Sequence, residues 1–258
     1  MRVRVLAGVV LFLTLAMVAS AASITRGTFN IDGEIYVTGV VTGSNLTIPG
    51  VGTCLVGTEC IFWQDNSLPP VADKVDVTAA GLPNGDIPAT MAGVDAANIA
   101  NMVNPPEIVD GVGFPPAFFM SFNNAGITTQ LLLNFIAAGI DPASGCAASP
   151  PAAGQTCTPP GSLFNLQNLS PTSSTVGWSL SGVTNDSMSR WTGTFTSQFN
   201  TMNYQQVLAA LATNGFVQNS FSASITLVVP EPGPMTAVGM GLMLVFCSLG
   251  LRRRIRTH

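Results

Sequence analysis

Val176-Gly177-Trp178-Ser179-Leu180-Ser181 sets the fold class, because large apolar side chains take every second place and small or polar ones fill the gaps. A period of two places one set of side chains on a buried face and the other in solvent, the mark of a half-buried strand. The pattern recurs on both sides. Trp191, Phe195 and Phe199 alternate with Thr192, Thr194, Thr196 and Gln198, and Phe221, Ala223, Ile225 and Leu227 alternate with Ser222, Ser224 and Thr226. Between these two runs the period changes. Tyr204, Val207, Leu208 and Leu211 fall at i, i+3, i+4 and i+7, with Asn203 placed to cap a helix and Gly215 to end it.

Upstream, Phe29, Ile31, Ile35 and Val37 alternate with Thr28, Asn30, Asp32, Glu34 and Tyr36. A two-residue hairpin at Asp32-Gly33 would mix the two faces, so one continuous strand with a bulge at Gly33 is the better reading. Ile61 to Gln64, Lys74 to Val77, Phe118 to Phe122 and Leu131 to Ile136 read as further strands, and Thr42 to Thr58 as loop. Asp95 is placed to cap a second helix carrying Ile99, Met102 and Val103, closed by Pro105-Pro106. About eight short strands with polar outer faces and one or two short helices predict a mainly β chain, an antiparallel β-sandwich or jelly-roll-like domain.

The two ends differ in kind from this body. Arg2 and Arg4, the apolar run Val5 to Val18, and Ala19-Ser20-Ala21 form the three parts of a secretory signal peptide, residues 1–21. The exported body then runs over residues 22–229. At the other end Val229-Pro230-Glu231-Pro232 precedes an uncharged apolar stretch, Met235 to Leu251, and then Arg252, Arg253, Arg254 and Arg256. As a helix, residues 235–251 would reach about 25 Å, enough for a thin bilayer, and the arginines would stay cytoplasmic. A C-terminal transmembrane helix is therefore expected there.

This tail, residues 230–258, resembles the PEP-CTERM sorting domain of Gram-negative bacterial envelopes. The resemblance rests on the Pro-Glu-Pro triplet, the Gly- and Leu-bearing span and the arginine cluster, present in that order. It implies that Pro230, Glu231 and Pro232, with Arg252, Arg253 and Arg254, are a sorting signal read by a membrane-bound exosortase-type processing enzyme. It also implies passage through the inner membrane to the cell surface or extracellular matrix, with exopolysaccharide or biofilm as the associated material. It covers about a ninth of the chain and transmits no activity to the body.

Composition narrows the body further. Only 9% of the chain is charged. Between residues 22 and 229 three cations (Arg26, Lys74, Arg190) face twelve acids, which excludes a basic nucleic-acid face. Four cysteines lie there, Cys54, Cys60, Cys146 and Cys157. In an oxidising compartment an even set reads as disulfides. Of the three pairings, Cys54–Cys60 and Cys146–Cys157 are favoured because each brackets a Gly- or Pro-rich loop, each closure contributing roughly 2–3 kcal/mol. A zinc site lacks its ligands, since the single histidine is His258 at the end of the tail.

The same histidine count removes Ser-His-Asp and Cys-His catalysis. Paired carboxylates need no histidine, and Asp65, Asp73, Asp76, Asp110 and Asp186 are available for a secreted hydrolase of that kind. No cofactor-binding motif stands out. Trp178 and Trp191 occupy the apolar parity of their strands and read as core. For Trp63, beside Gln64, Asp65 and Asn66, core filling also leads, with a sugar contact of a carbohydrate-binding module as the alternative. The leading expectation is a non-enzymatic surface or matrix protein.

Overall fold

A computed structural model describes residues 27–80, 95–103, 111–124, 127–185, 187 and 189–228. The signal-peptide segment 1–21, the sorting residues Pro230, Glu231, Pro232, Arg252, Arg253 and Arg254, and the span 235–251 lie outside the described residues. Among those described, no helix is long and apolar enough to cross a membrane.

The first strands are β1 (Gly27–Thr38), β2 (Leu46–Ile48), β3 (Gly52–Cys54), β4 (Cys60–Gln64) and β5 (Lys74–Ala80). They are followed by β6 (Asp95–Ile99), β7 (Met102–Val103), β8 (Ala117–Asn124) and β9 (Ile127–Ile136). A 3-10 turn at Ala143–Ala147 leads to β10 (Thr156–Cys157), β11 (Asn165–Ser170), β12 (Ser173–Thr184) and β13 (Arg190–Phe199). The helix α1 (Tyr204–Asn214) and β14 (Phe216–Val228) end the body.

Mainly β is correct, but the sandwich is not. Eight antiparallel strands run in the order β12-β13-β14-β1-β5-β6-β8-β9, and β9 pairs back onto β12, closing a barrel. Closure removes both edges, which a sandwich leaves open. The second expected helix is also absent. Asp95–Ile99 is β6, paired with β5 and β8, and Met102–Val103 is β7, paired with β4. Strand partners on both sides outweigh a helical spacing that only four residues supported.

Two strands are longer than the ring needs and change partner midway. β1 pairs with β14 along its whole length, in unbroken register from Gly27↔Leu227 to Thr38↔Phe216. On its other side Phe29 to Asp32 pair with β5, whereas Glu34 to Val37 pair with β4. Gly33 marks the change, and here the reading of one continuous strand holds. The irregularity lies elsewhere, against β5 at Asn30/Ile31. A Cβ at Gly33 would stand 2.3 Å from the Gln64 carbonyl oxygen, so the site demands glycine for close backbone approach.

β12 does the same in mirror fashion. Ser173 to Gly177 pair with β11, and Leu180 to Thr184 pair with β9 across a bulge at Ser181/Gly182. At that bulge the Leu132 carbonyl comes so near Gly182 that a Cβ would sit 1.8 Å from it. The Trp191 indole N–H donates to the same carbonyl at 3.1 Å. At its bulge, the seam that closes the barrel thus requires a missing side chain and gains an indole bond beside its backbone ladder.

The ring is therefore complete at one end and splayed at the other, where β4 and β11 replace β5 and β9. That end is the mouth. The first and last described residues, Gly27 and Val228, lie at the far end.

Gly182→Ala should lower stability by roughly 2–4 kcal/mol. Gly177→Ala, whose Cβ would meet nothing closer than 3.9 Å, should cost less than about 1 kcal/mol. Urea-unfolding midpoints of the two variants test the contrast.

Candidate functional site

The barrel interior is filled at mid-height by aromatic rings. Trp63 has ring neighbours in Phe221 (4.9 Å), Phe195 (5.9 Å), Trp178 (6.5 Å) and Phe119 (6.5 Å). Trp178 stacks on Phe195 at 5.4 Å, and Phe119 on Trp191 at 5.2 Å. Trp63 fills the core, the leading role read from the sequence, and the alternative of a sugar contact is overturned, since the residue is 0% exposed. Of its polar neighbours, Gln64 and Asp65 are buried too, whereas Asn66 is exposed. β4 has the aromatic layer on one face and the β2–β3 hairpin on the other, so all five of its residues are buried. Gln64 accepts from the Tyr36 hydroxyl at 2.9 Å and donates to the Gly50 carbonyl at 3.0 Å. Burial, reinforced by the adjacent Glu34 carboxylate, pushes the Tyr36 hydroxyl up to about 12.

The aromatic layer forms a floor, and above it the mouth is not filled. A cavity of about 170 Å³ remains there. Trp178 is at its base, Ile35 and Val37 of β1, Val176 of β12 and Val217 of β14 line its walls. Val207, Leu208 and Leu211 of α1 also line it, so the helix serves as a lid. The sequence places that helix there because the β13–β14 connection emerges at the mouth and is long enough to turn back across it.

The lid is fixed at both ends. Asn203 Oδ1 accepts from the Gln206 backbone N–H at 2.9 Å while Gln206 Oε1 accepts from the Asn203 N–H at 3.0 Å, a reciprocal cap. Gly215 closes the helix in the left-handed conformation, φ 79°, its N–H donating to Leu211. Both caps match the sequence reading.

Beside the lid, a polar network joins the helix to the Cys146–Cys157 loop. Tyr204 donates its hydroxyl to the Gly145 carbonyl at 2.7 Å, and Gln205 Nε2 donates to the Ala148 carbonyl at 3.0 Å. Asn168 on β11 is 1% exposed. Its Oδ1 accepts from the Tyr204 N–H at 2.8 Å, and its Nδ2 donates to Gln205 at 2.9 Å and Gln155 at 3.3 Å. This residue went unrecognised in the sequence because an asparagine in a strand reads as outward-facing.

The bonded cysteine pairs are Cys54–Cys60 and Cys146–Cys157. The first closes the loop between β3 and β4 over a small second core, formed by Tyr36, Val41, Ile48 and Phe62. The second holds the loop to which α1 is tied. Both therefore brace the mouth end of the barrel.

The candidate carboxylates have structural partners. Asp73 accepts from the Asn101 amide, and Asp76 from the Asn66 N–H at 2.9 Å. Asp110 and Asp186 lie outside the described residues. Asp65, 2% exposed, holds its own loop, accepting from the Ser67 hydroxyl and the Val71 N–H, both at 2.7 Å. Among the described residues no group of three acids, cysteines or histidines could hold a metal ion.

Compared with known proteins, the chain matches no family model, and neither a curated protein nor a solved structure matches it significantly.

Burial alone would push the Asp65 carboxyl up, but the Ser67 hydroxyl, the Val71 and Ser67 N–H groups and the Lys74 charge hold it below the usual carboxylate range. A carboxyl lowered by folding stabilises the fold above its unfolded value of 3.8 and loses that contribution as pH falls through the lower folded value. Asp65→Asn should therefore cost about 1.5 kcal/mol at pH 7, with the gap to the parent shrinking in the acid range; urea melts at both pH values measure it. Asn168→Ala, which strands the Tyr204 N–H and leaves Gln205 Oε1 without its donor, should cost about 2 kcal/mol and raise hydrogen exchange in α1.

Proposed function

We propose that the chain is an exported, non-enzymatic surface or matrix protein: a disulfide-braced β-barrel delivered by its signal peptide and processed at its PEP-CTERM-like tail. The observation that carries this reading is the pair of disulfides in a body of so few charges. Such bonds form and persist in oxidising compartments, outside the cytosol. The tripartite tail supplies the address, an exosortase-type enzyme of the inner membrane the reader, and exopolysaccharide or biofilm matrix the destination.

The structural employment of Asp65, Asp73 and Asp76 supports the non-enzymatic part, because carboxylates engaged in holding loops are poor candidates for acid–base work. Carbohydrate binding through Trp63 has no support left, since a ring enclosed by four others offers no face for stacking. Low charge and Ser- and Thr-rich outer faces on β13 and β14 suit a protein surrounded by hydrated polymer.

Mass spectrometry of the protein recovered from medium and envelope tests the proposal. The expected product begins near Ala22, has lost the arginine cluster, and yields disulfide-linked peptides spanning Cys54–Cys60 and Cys146–Cys157. Loss of the C-terminal trimming in a host without an exosortase should follow. Full-length protein in the cytosol with free thiols would overturn it.

A further inference from the structure

We propose that the barrel-mouth cavity is a binding site for a small, neutral, ring-sized apolar molecule. The inference concerns a ligand, and goes beyond the sorting role without depending on it.

Three observations carry it. The first is size. Protein interiors pack like organic crystals, with few voids larger than a water molecule. The pocket of about 170 Å³ opens at the barrel mouth above a layer of stacked rings, so it is an accessible recess rather than a sealed packing void. An apolar cavity of roughly 150 Å³ is already enough to admit benzene.

The second is the chemistry of the wall. Val37, Val176, Val217, Leu166 and Trp178 present hydrocarbon. Most polar side chains on the wall are committed within the protein, the exception being the Trp178 indole N–H, which has no acceptor. Asn219 Nδ2 donates to Ser197 Oγ and to the Gln198 carbonyl, both at 2.8 Å. Ser197 Oγ in turn donates to the Ser220 carbonyl at 2.7 Å, and Thr38 Oγ1 accepts from the Cys60 N–H at 2.8 Å. Recognition would therefore rest on shape and apolar contact. The lining includes Glu59 and no lysine, arginine or histidine. An anionic ligand such as a fatty acid would lose its hydration with no positive charge to receive it, which selects a neutral molecule.

The third is the lid. α1 covers the cavity with Val207, Leu208 and Leu211, and its first turn is tied to a disulfide-closed loop. A pocket with a rigid floor and a pinned lid is pre-formed, so little ordering cost remains for the ligand.

All three tryptophans of the chain, Trp63, Trp178 and Trp191, lie inside the barrel, and Trp178 borders the cavity. Tryptophan-selective fluorescence of the full chain, kept in solution by a non-aromatic detergent, therefore reports on this interior. Bromobenzene, a neutral ring with a heavy-atom quencher, should quench it saturably, and 4-bromobenzoate should need about tenfold higher concentration or more. Val217→Phe, which fills the cavity from β14, should abolish the saturable component while keeping the parent's circular dichroism. Leu211→Phe on the lid does the same if Val217→Phe fails to fold. Quenching that is linear in concentration, equal for parent and filled variant, or no weaker for the anion would overturn the proposal. None of those results would alter the termini found by mass spectrometry, so the two readings fail separately.

Discussion

A closed barrel creates an inside that must be occupied, and this constraint governs the rest of the structure. Alternation along eight strands sends half of their side chains into one enclosed space. At mid-height the space is taken by Trp63, Trp178, Trp191 and three phenylalanines. Trp191 finds a hydrogen-bond acceptor in Leu132, but the indole N–H groups of Trp63 and Trp178 are buried without one. An unmade bond of that kind costs about 1–3 kcal/mol, so these rings are retained for their volume and shape. The filling stops short of the mouth, and the polar and covalent bracing of the body is concentrated there.

The bracing follows from the way two strands overrun the ring. Because β1 and β12 each trade one neighbour for another midway, the mouth is walled by β4 and β11 rather than by the strands that close the lower ring. Short strands such as β4 and β11 make few ladder bonds of their own. β4 gains a second core on its outer face under the β2–β3 hairpin, with the Cys54–Cys60 bond at its edge. β11 gains Asn168, the α1 cap and the Cys146–Cys157 loop. The glycines at the switch points, Gly33 and Gly182, are placed where a neighbouring carbonyl occupies the room a side chain would need.

Much of this was legible in the residues, and the failures have physical causes. β12, β13 and β14 each bury one face only, so their period of two survives intact in the sequence. The helix announces itself by both caps. Where an element is buried on two faces the parity signal vanishes: β4 is legible as a strand and Trp63 as core, but the burial of Gln64 and Asp65 beside it is not. The 95–103 segment spaces its apolar residues like a helix turn, yet two short strands on different neighbours use the same spacing. β2 and β3 were read as loop because Gly and Thr dominate them and only Leu46, Ile48 and Val51 supply apolar mass. Closure of β9 on β12 left no trace, since it depends on a register between residues some fifty apart, set by a missing Cβ at Gly182 rather than by any pattern along either strand.

The pairing of β1 with β14 carries one consequence in time. Among the described residues the earliest strand waits for the latest, Gly27 for Leu227, so their longest ladder cannot form until nearly the whole body has been delivered. Contacts so distant along the chain make for slow folding. In the interval β1 offers an unsatisfied edge of alternating Phe, Ile and Val, the kind of template on which other chains stack. Until the closing strand arrives, that flank of the opening strand stays available to neighbouring chains.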